Sequence, residues 1–527
     1  MYLPPMLLDL LIVLTYFAVV MAAALRGRQG TEATTESYFL SNRNLRWPSI
    51  AISTIATNVQ GYQFLGMMGS AYLYGLAQAN LEINAVQGML LAAFVFVPMY
   101  LRNRVITITQ FIQDKLGEWT GVLYSVANLL LLSTVGLGAA LFWGAYAADL
   151  VFADYLVYLS EDRLTRTMLL VAGLGVFAAI YTYFGGLSAV VKTDIIQFGI
   201  LLAGGITVLG VAIYQLGGFA ELYRQTPELM HLHLPADHPT LPWIAIGGMF
   251  LLNINYWCAN QTVVQRSLAA RSLREAQIGL MVGGVMKYVM AAVVILPGIA
   301  LVGLVGKTGL AEPDQAFPYL VTTYLPAGIR GIILCALFAS LMSTVDSTFN
   351  SLATLFSVDI YKPYINPEAT DAQLIRAGRR TILVTLLTGV SMGCLLLYVK
   401  LANPEVAFTH TLNEYRYYIN CGIVVTICAA AVLAVRYQWL AVAALLSTIP
   451  LHLLLQSDWA VGLVGELNYF VRAMWVILIA FGLLALSSLL TRAHRFPQSW
   501  FESAGPGITK FGWGLLASLA LLHWIFH

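Results

Sequence analysis

Long apolar runs separated by short polar turns recur along this chain from one end to the other. A helix needs roughly 20 apolar residues to cross a bilayer. The pattern predicts about 14 such helices, at 5–25, 47–72, 79–101, 120–151, 166–184, 193–214, 242–259, 277–303, 327–356, 381–399, 404–434, 438–456, 471–491 and 511–526. Two of these runs carry polar residues and glycines in their interior. The second contains Asn58, Gln60, Gly61, Gln63 and Gly66. The seventh, with the residues just after it, contains Gly247, Gly248, Asn253, Asn255, Asn260 and Gln261. Polar, glycine-bearing segments at membrane depth are places where a helix unwinds around a site. The two lie five spans apart, as broken helices do when two repeats have opposite topology. Spans 2–6 and 7–11 are then the repeats, about 47–214 and 242–434. The helices at 5–25 and 438–526 are peripheral.

The ninth run holds the densest chemistry. Ser340, Ser343, Thr344 and Ser347 stand at i, i+3, i+4 and i+7, so their hydroxyls share one helix face. In lipid this stripe requires hydrogen-bond partners, water or an ion. Serine and threonine also bridge neighbouring membrane helices. A hydroxyl stripe facing a carbonyl equally suits a small hard cation such as Na⁺. Asp346 lies within the stripe, and ionisable groups at membrane depth mark ion or solute pathways.

Composition agrees with the pattern. The 527 residues are 59% hydrophobic and 10% charged, against roughly 25% charged in soluble domains. Residues 1–527 read as one all-α polytopic membrane domain. Most Lys and Arg fall in alternate loops: Arg26, Arg28, Arg43 and Arg46, then Arg102, Arg104 and Lys115, then Arg266, Arg271 and Arg274. Lys362, Arg376, Arg379, Arg380, Arg492 and Arg495 continue the series. The positive-inside bias then puts both termini outside the cell membrane. The formal charge of +2 reflects this asymmetry and does not point to nucleic acid. The first run follows Met1–Met6 without a basic leader or small-residue cleavage site, so it is expected to stay as a helix.

Cys258, Cys335, Cys394, Cys421 and Cys428 all lie in apolar runs, without metal spacing, and are expected to pack as small hydrophobes. The outer loop 215–241 carries His231, His233 and His238, which suit a zinc ion or simply a solvated loop. No Ser/His/Asp constellation or His/Cys metal cluster falls at membrane depth, so an enzyme is not expected.

Several stretches resemble the sodium/solute symporter family, in particular its bacterial sodium–galactose branch. They are Glu36–Leu40, Gln63–Met67, Gly185–Asp194, Asn253–Trp257, Gln265–Ser272, Leu296–Gly298, Phe349–Ser351 and Asp359–Lys362. Together they cover roughly 36–435. The resemblance implies a five-plus-five inverted-repeat (LeuT-like) core, alternating access and Na⁺ as coupling ion. It implies a sodium site from the carbonyls of Ala56 and Val59, the Ser340 carbonyl, and the Ser343 and Thr344 hydroxyls. A second cation site in some members matches Asp194, with Asp346 and Ser347 nearby. The competing reading pairs Asp194 with Lys192, or has Thr193-Asp194 cap a helix start. For solute the matching positions are Gln63, Glu82, Asn253, Lys287 and Asn413. Glu82 and Lys287 fit a purely structural ion pair as well. Tyr256 and Trp257 match the inner gate, or pack as ordinary membrane aromatics.

The departures concern the solute. Gly136 stands where the galactose branch has an amide on span 4, and Asn413 where it has Gln. Arg416 follows where small residues are usual. That arginine can pair with Glu414, clamp a substrate carboxylate or snorkel to the outer face. The expectation is a Na⁺-coupled symporter for a small polar solute, a sugar or sugar derivative. One rival is a symporter for a carboxylate-bearing solute held by Arg416. Another is a sensor or channel on the same fold.

Overall fold

The computed structural model describes residues 5–26, 34–402, 408–491 and 500–527. Arg28, Arg492 and Arg495 lie outside the described residues, as do Met1–Pro4 of the opening segment. The described chain is helical, apart from two isolated bridges, Leu45 with Ala270 and Leu234 with Pro242.

Eleven helices among the described residues are long and apolar enough to cross a membrane. The expected count was about 14, and the two counts part at three places. The expected second span begins as a helix of only 12 residues, Trp47–Asn58. The expected seventh is likewise short, Ala245–Ile254 with a wide turn at Asn255–Ala259. The expected fifth and sixth run on without a loop over the 54 residues Arg163–Leu216, as two helices joined at Gly186, where the backbone leaves the helical conformation. A straight helix of that length would measure about 80 Å, against a hydrocarbon core of about 30 Å. Gly186 makes the bend with φ 55° and ψ −156°, a conformation that is essentially glycine's alone. A Cβ there would lie 2.4 Å from the Tyr38 carbonyl oxygen.

The breaks in spans 2 and 7 are alike. Val59 leaves the first helix at φ −77°, ψ 107°, and Asn260 leaves the other at φ −83°, ψ 113°. Beyond Asn260 the chain re-forms a helix, Gln261–Leu268, whose first turn is capped by the Asn260 side chain on the Thr262 amide at 2.9 Å. The end of that helix returns to the entry of span 2. Leu45 donates to the Ala269 carbonyl and accepts from the Arg271 amide, both at 3.0 Å.

Span 9, Ile329–Leu355, runs through the middle of the bundle. Every residue from Ile333 to Leu355 is buried, although the helix carries a hydroxyl stripe and a carboxylate. It packs against the bent helix, the first helix Pro5–Leu25, the span-4 helix Leu137–Leu156 and the tenth span Asp371–Ala402. The peripheral helices Gln438–Leu455, Tyr469–Leu490 and Pro506–Ile525 bury a minority of their residues. Leu446, Leu453, Leu483 and Leu521 among them are exposed, which costs nothing where the surroundings are lipid.

Candidate functional site

Two polar centres lie where the broken helices meet span 9 and span 8. At the first, the hydroxyl stripe of span 9 faces the end of the first helix of span 2. Ser340 donates to the Val59 carbonyl at 2.9 Å, and Thr344 to the Thr57 carbonyl at 3.0 Å. The Gln60 amide, which a continuing helix would aim at the Ala56 carbonyl, goes to Gln63 Oε1 at 2.6 Å instead. The break therefore turns backbone oxygens toward the stripe. Hydroxyl and carbonyl oxygens are the donors that a hard monovalent cation accepts.

Ser343 and Ser347, the other half of the stripe, join a buried ionic group. Asp194 accepts from both Ser53 and Ser343. It stands 3.5 Å from the Arg266 guanidinium, with both side chains fully buried. Arg266 also donates to Thr57 at 2.8 Å, to Ser53 at 3.0 Å and to Ser347. The Lys192 pairing is thus overturned, since Lys192 is exposed. So is the helix-start reading, because the helix runs unbroken through Asp194. Asp346 faces the same bent segment that carries Asp194. It accepts from Tyr181 at 2.7 Å and lies 3.3 Å from the Ser347 hydroxyl and 3.5 Å from Thr193. Asp194, Asp346 and Ser347 are together, but the cation among them is Arg266.

Arg266 was read in sequence as a loop charge. The helix that restarts after Asn260 instead carries it into the buried interior. The pattern Asn-Gln-Thr-Val-Val-Gln-Arg, an N-cap followed by an amphipathic turn, is the signal that could have found it.

The second centre is a cavity between spans 2, 3, 4, 7, 8 and 11. Glu82, Asn253, Lys287, Asn413 and Arg416 line it, together with the aromatic pair Tyr256 and Trp257. Gln63 does not line it. That side chain is buried and donates to Glu82 Oε1 at 2.6 Å. Lys287 donates to the other Glu82 oxygen and to Asn58 Oδ1 at 2.6 Å, with its ammonium 5.8 Å from the Trp257 ring centre. Asn58 is the last residue of the broken helix, so this charge pair is tied to the same break as the first centre. Both ions are buried, and such a pair holds only when each charge is matched and bonded.

Three lining atoms have no hydrogen-bond partner among the described residues: Gln78 Oε1, Asn420 Oδ1 and Arg416 Nε. A buried polar atom without a partner is a place for a solute or a water. Arg416 is not paired with Glu414, which takes Arg472 and, at 3.2 Å, Gln456. Span 4 contributes an amide to the lining through Asn128, while Gly136 does not reach the cavity. Gln78, Asn128 and Asn420 were missed because single amides inside apolar runs carry no periodic signal.

In the loop 215–241, His233 meets His523 at 3.0 Å. Burial, and then the His527 ring, push its imidazole below the ordinary value. No group of three or more His, Cys, Asp or Glu among the described residues is arranged to hold a metal ion. The five cysteines are free, and Cys258, Cys335 and Cys421 are buried.

Residues 38–413 match the model of the sodium:solute symporter family. A sodium/glucose cotransporter of Vibrio parahaemolyticus is 32% identical over 446 residues, 79% of each chain. Sodium/glucose cotransporter 1 of Ovis aries is 30% identical over 426 residues, 73% of this chain and 62% of the relative. The chain thus spans less than two thirds of that longer relative. Among solved structures, a Na⁺-coupled sialic acid symporter in a substrate-bound outward-open state superposes with a TM-score of 0.78. The match covers 93% of this chain and 99% of the other at 17% identity, a likeness of fold alone. A multi-pass helical chain with these relatives, matched across its broken helices and through the whole of span 9, belongs to the sodium:solute symporter family.

Proposed function

We propose that this protein imports a small polar solute, a sugar or sugar derivative, across the cell membrane by Na⁺-coupled symport. One observation carries the reading: the Ser340 and Thr344 hydroxyls meet the Val59 and Thr57 carbonyls where span 2 breaks. Na⁺ bound between span 2 and span 9 holds them together. The same break carries Asn58, which bonds Lys287 beside Glu82. An ion at the first centre thereby favours the arrangement of the second that takes solute. This is a population shift between two states, driven by the difference in Na⁺ affinity. Ala56, Val59, Ser340, Ser343 and Thr344 are the ion's ligands in this reading. Glu82, Asn253, Lys287 and Asn413 serve the solute, with Gln63 positioning Glu82. Tyr256 and Trp257 close the inner side. The matching breaks at Val59 and Asn260 support a five-plus-five repeat within about 14 spans, with both termini outside.

A second cation at Asp194, Asp346 and Ser347 requires Arg266 to withdraw. In the arrangement described, Arg266 supplies that positive charge, which favours one Na⁺ per cycle.

The test is uptake into proteoliposomes with labelled sugars, sugar acids and inositols. Uptake that needs a Na⁺ gradient and falls away in Thr344→Ala supports the reading. Uptake indifferent to Na⁺ overturns it and favours the sensor or channel alternative. A carboxylate-bearing solute is the second reading, favoured by the unpartnered Arg416 Nε. It requires Arg416→Ala to abolish uptake of the acid while Na⁺ affinity stays unchanged.

A further inference from the structure

A crevice of about 530 Å³ opens between spans 4, 9 and 10, away from both polar centres. Leu130, Leu352, Phe356 and Val384 form its apolar walls, and Arg376 and Arg380 stand among its lining residues. Leu130 and Val384 are more than half exposed, so the crevice opens toward the bilayer rather than into the bundle. Leu352 at its back is fully buried. Apolar walls at this depth are filled by lipid and not by water.

The two arginines decide which lipid. They are one helical turn apart and share a face of span 10. The apolar run 381–399 begins directly after Arg380, which places both guanidinium groups at headgroup depth. Both are exposed, and neither has an ion pair with a carboxylate among the described residues. Guanidinium pairs bind phosphate oxygens through charge-assisted, bidentate hydrogen bonds. A zwitterionic lipid would bring an ammonium group beside two cations. A lipid of net negative charge brings only the matching sign. Basic pockets between membrane helices take anionic headgroups for this reason.

We propose that this crevice binds an anionic glycerophospholipid, its phosphodiester between Arg376 and Arg380 and an acyl chain along Leu130, Leu352, Phe356 and Val384. The lipid braces the inner end of the helix that carries the hydroxyl stripe, because Leu352 and Phe356 continue span 9.

The test is thermal unfolding of the full chain in detergent with added dioleoylphosphatidylglycerol, dioleoylphosphatidylcholine or inorganic phosphate. The expected result is a midpoint about 2 °C or more higher with phosphatidylglycerol than with phosphatidylcholine, and no shift with inorganic phosphate. The increment should vanish in the double variant Arg376→Gln/Arg380→Gln. It should also vanish in Val384→Trp, which keeps both charges and fills the crevice. Equal shifts from the two lipids, or none, overturn the proposal. So does the same shift from inorganic phosphate, which would mean a free-anion site. Should the arginine variant fail to fold, Val384→Trp decides, since an increment retained there refutes the crevice.

Discussion

At the scale of single residues, the sodium reading rests on oxygens with defined neighbours. Thr344→Ala removes the hydroxyl that meets the Thr57 carbonyl, and Ser343→Ala the one that meets Asp194. Each should raise the Na⁺ concentration for half-maximal uptake about tenfold or more, near the 1.4 kcal/mol of one lost polar contact. Ser351→Ala is the control. Ser351 lies on the same helix but bonds the Ser347 carbonyl and Gln265, so Na⁺ dependence should change less than about twofold. Lys287→Met leaves Glu82 buried and unmatched, which should lower stability by about 3–5 kcal/mol. Glu82→Gln with Lys287→Met should recover most of that in thermal unfolding while uptake stays absent. Equal stability of the single and double variants would contradict the charge pairing. Much of this was legible in sequence. The stripe has helical spacing, and Glu82 and Lys287 are opposite charges inside apolar runs. Arg266 was not, because a linear reading assigns an arginine after a membrane span to the loop.

Helices tell a similar story at the next scale. Long apolar stretches announce themselves by length, and the broken ones by internal amides and glycines. That the fifth and sixth runs join without a loop was not legible, because the intervening Gly-Gly and Lys-Thr-Asp resemble a polar turn. In the folded chain the first helix ends at Gly186 and the second begins directly after it. Gly186→Ala forces a Cβ toward the Tyr38 carbonyl in a conformation alanine avoids. It should lower the unfolding midpoint by the equivalent of about 1–3 kcal/mol. Gly173→Ala, in the same helix with open space around its Cβ, should be neutral or stabilising by up to about 1 kcal/mol. A similar loss at both sites would mean that the bend is not held by Gly186. The two extended breaks, Val59 and Asn260, matter for a different reason. They make backbone oxygens and an arginine available in the buried interior of the bundle.

At the scale of the whole molecule, the hydroxyl stripe and the polar cavity are linked through one short helix, Trp47–Asn58. Coupling follows if that helix moves as a unit. A membrane potential contributes about 2.3 kcal/mol per charge per 100 mV. For a neutral solute, 100 mV set by a potassium diffusion potential should therefore raise accumulation by up to about 50-fold with one Na⁺. Two Na⁺ would give about the square of that factor. A dependence near the square would mean that Arg266 leaves Asp194 during the cycle. No such balance could be read from the sequence, because it depends on which charges share a site across spans 2, 6, 7 and 9.

Arg266 is a positive charge tethered by its own backbone, seated among Ser53, Thr57, Asp194 and Ser347. It can be displaced but never released. It therefore adds nothing to the steady current of a transport cycle. Any movement between the two states would instead displace charge within the membrane, and a voltage step in sodium-free solution would report it. The signature would be a transient current, equal and opposite when the step is switched on and off, that saturates at both voltage extremes. Arg266→Gln would remove that component.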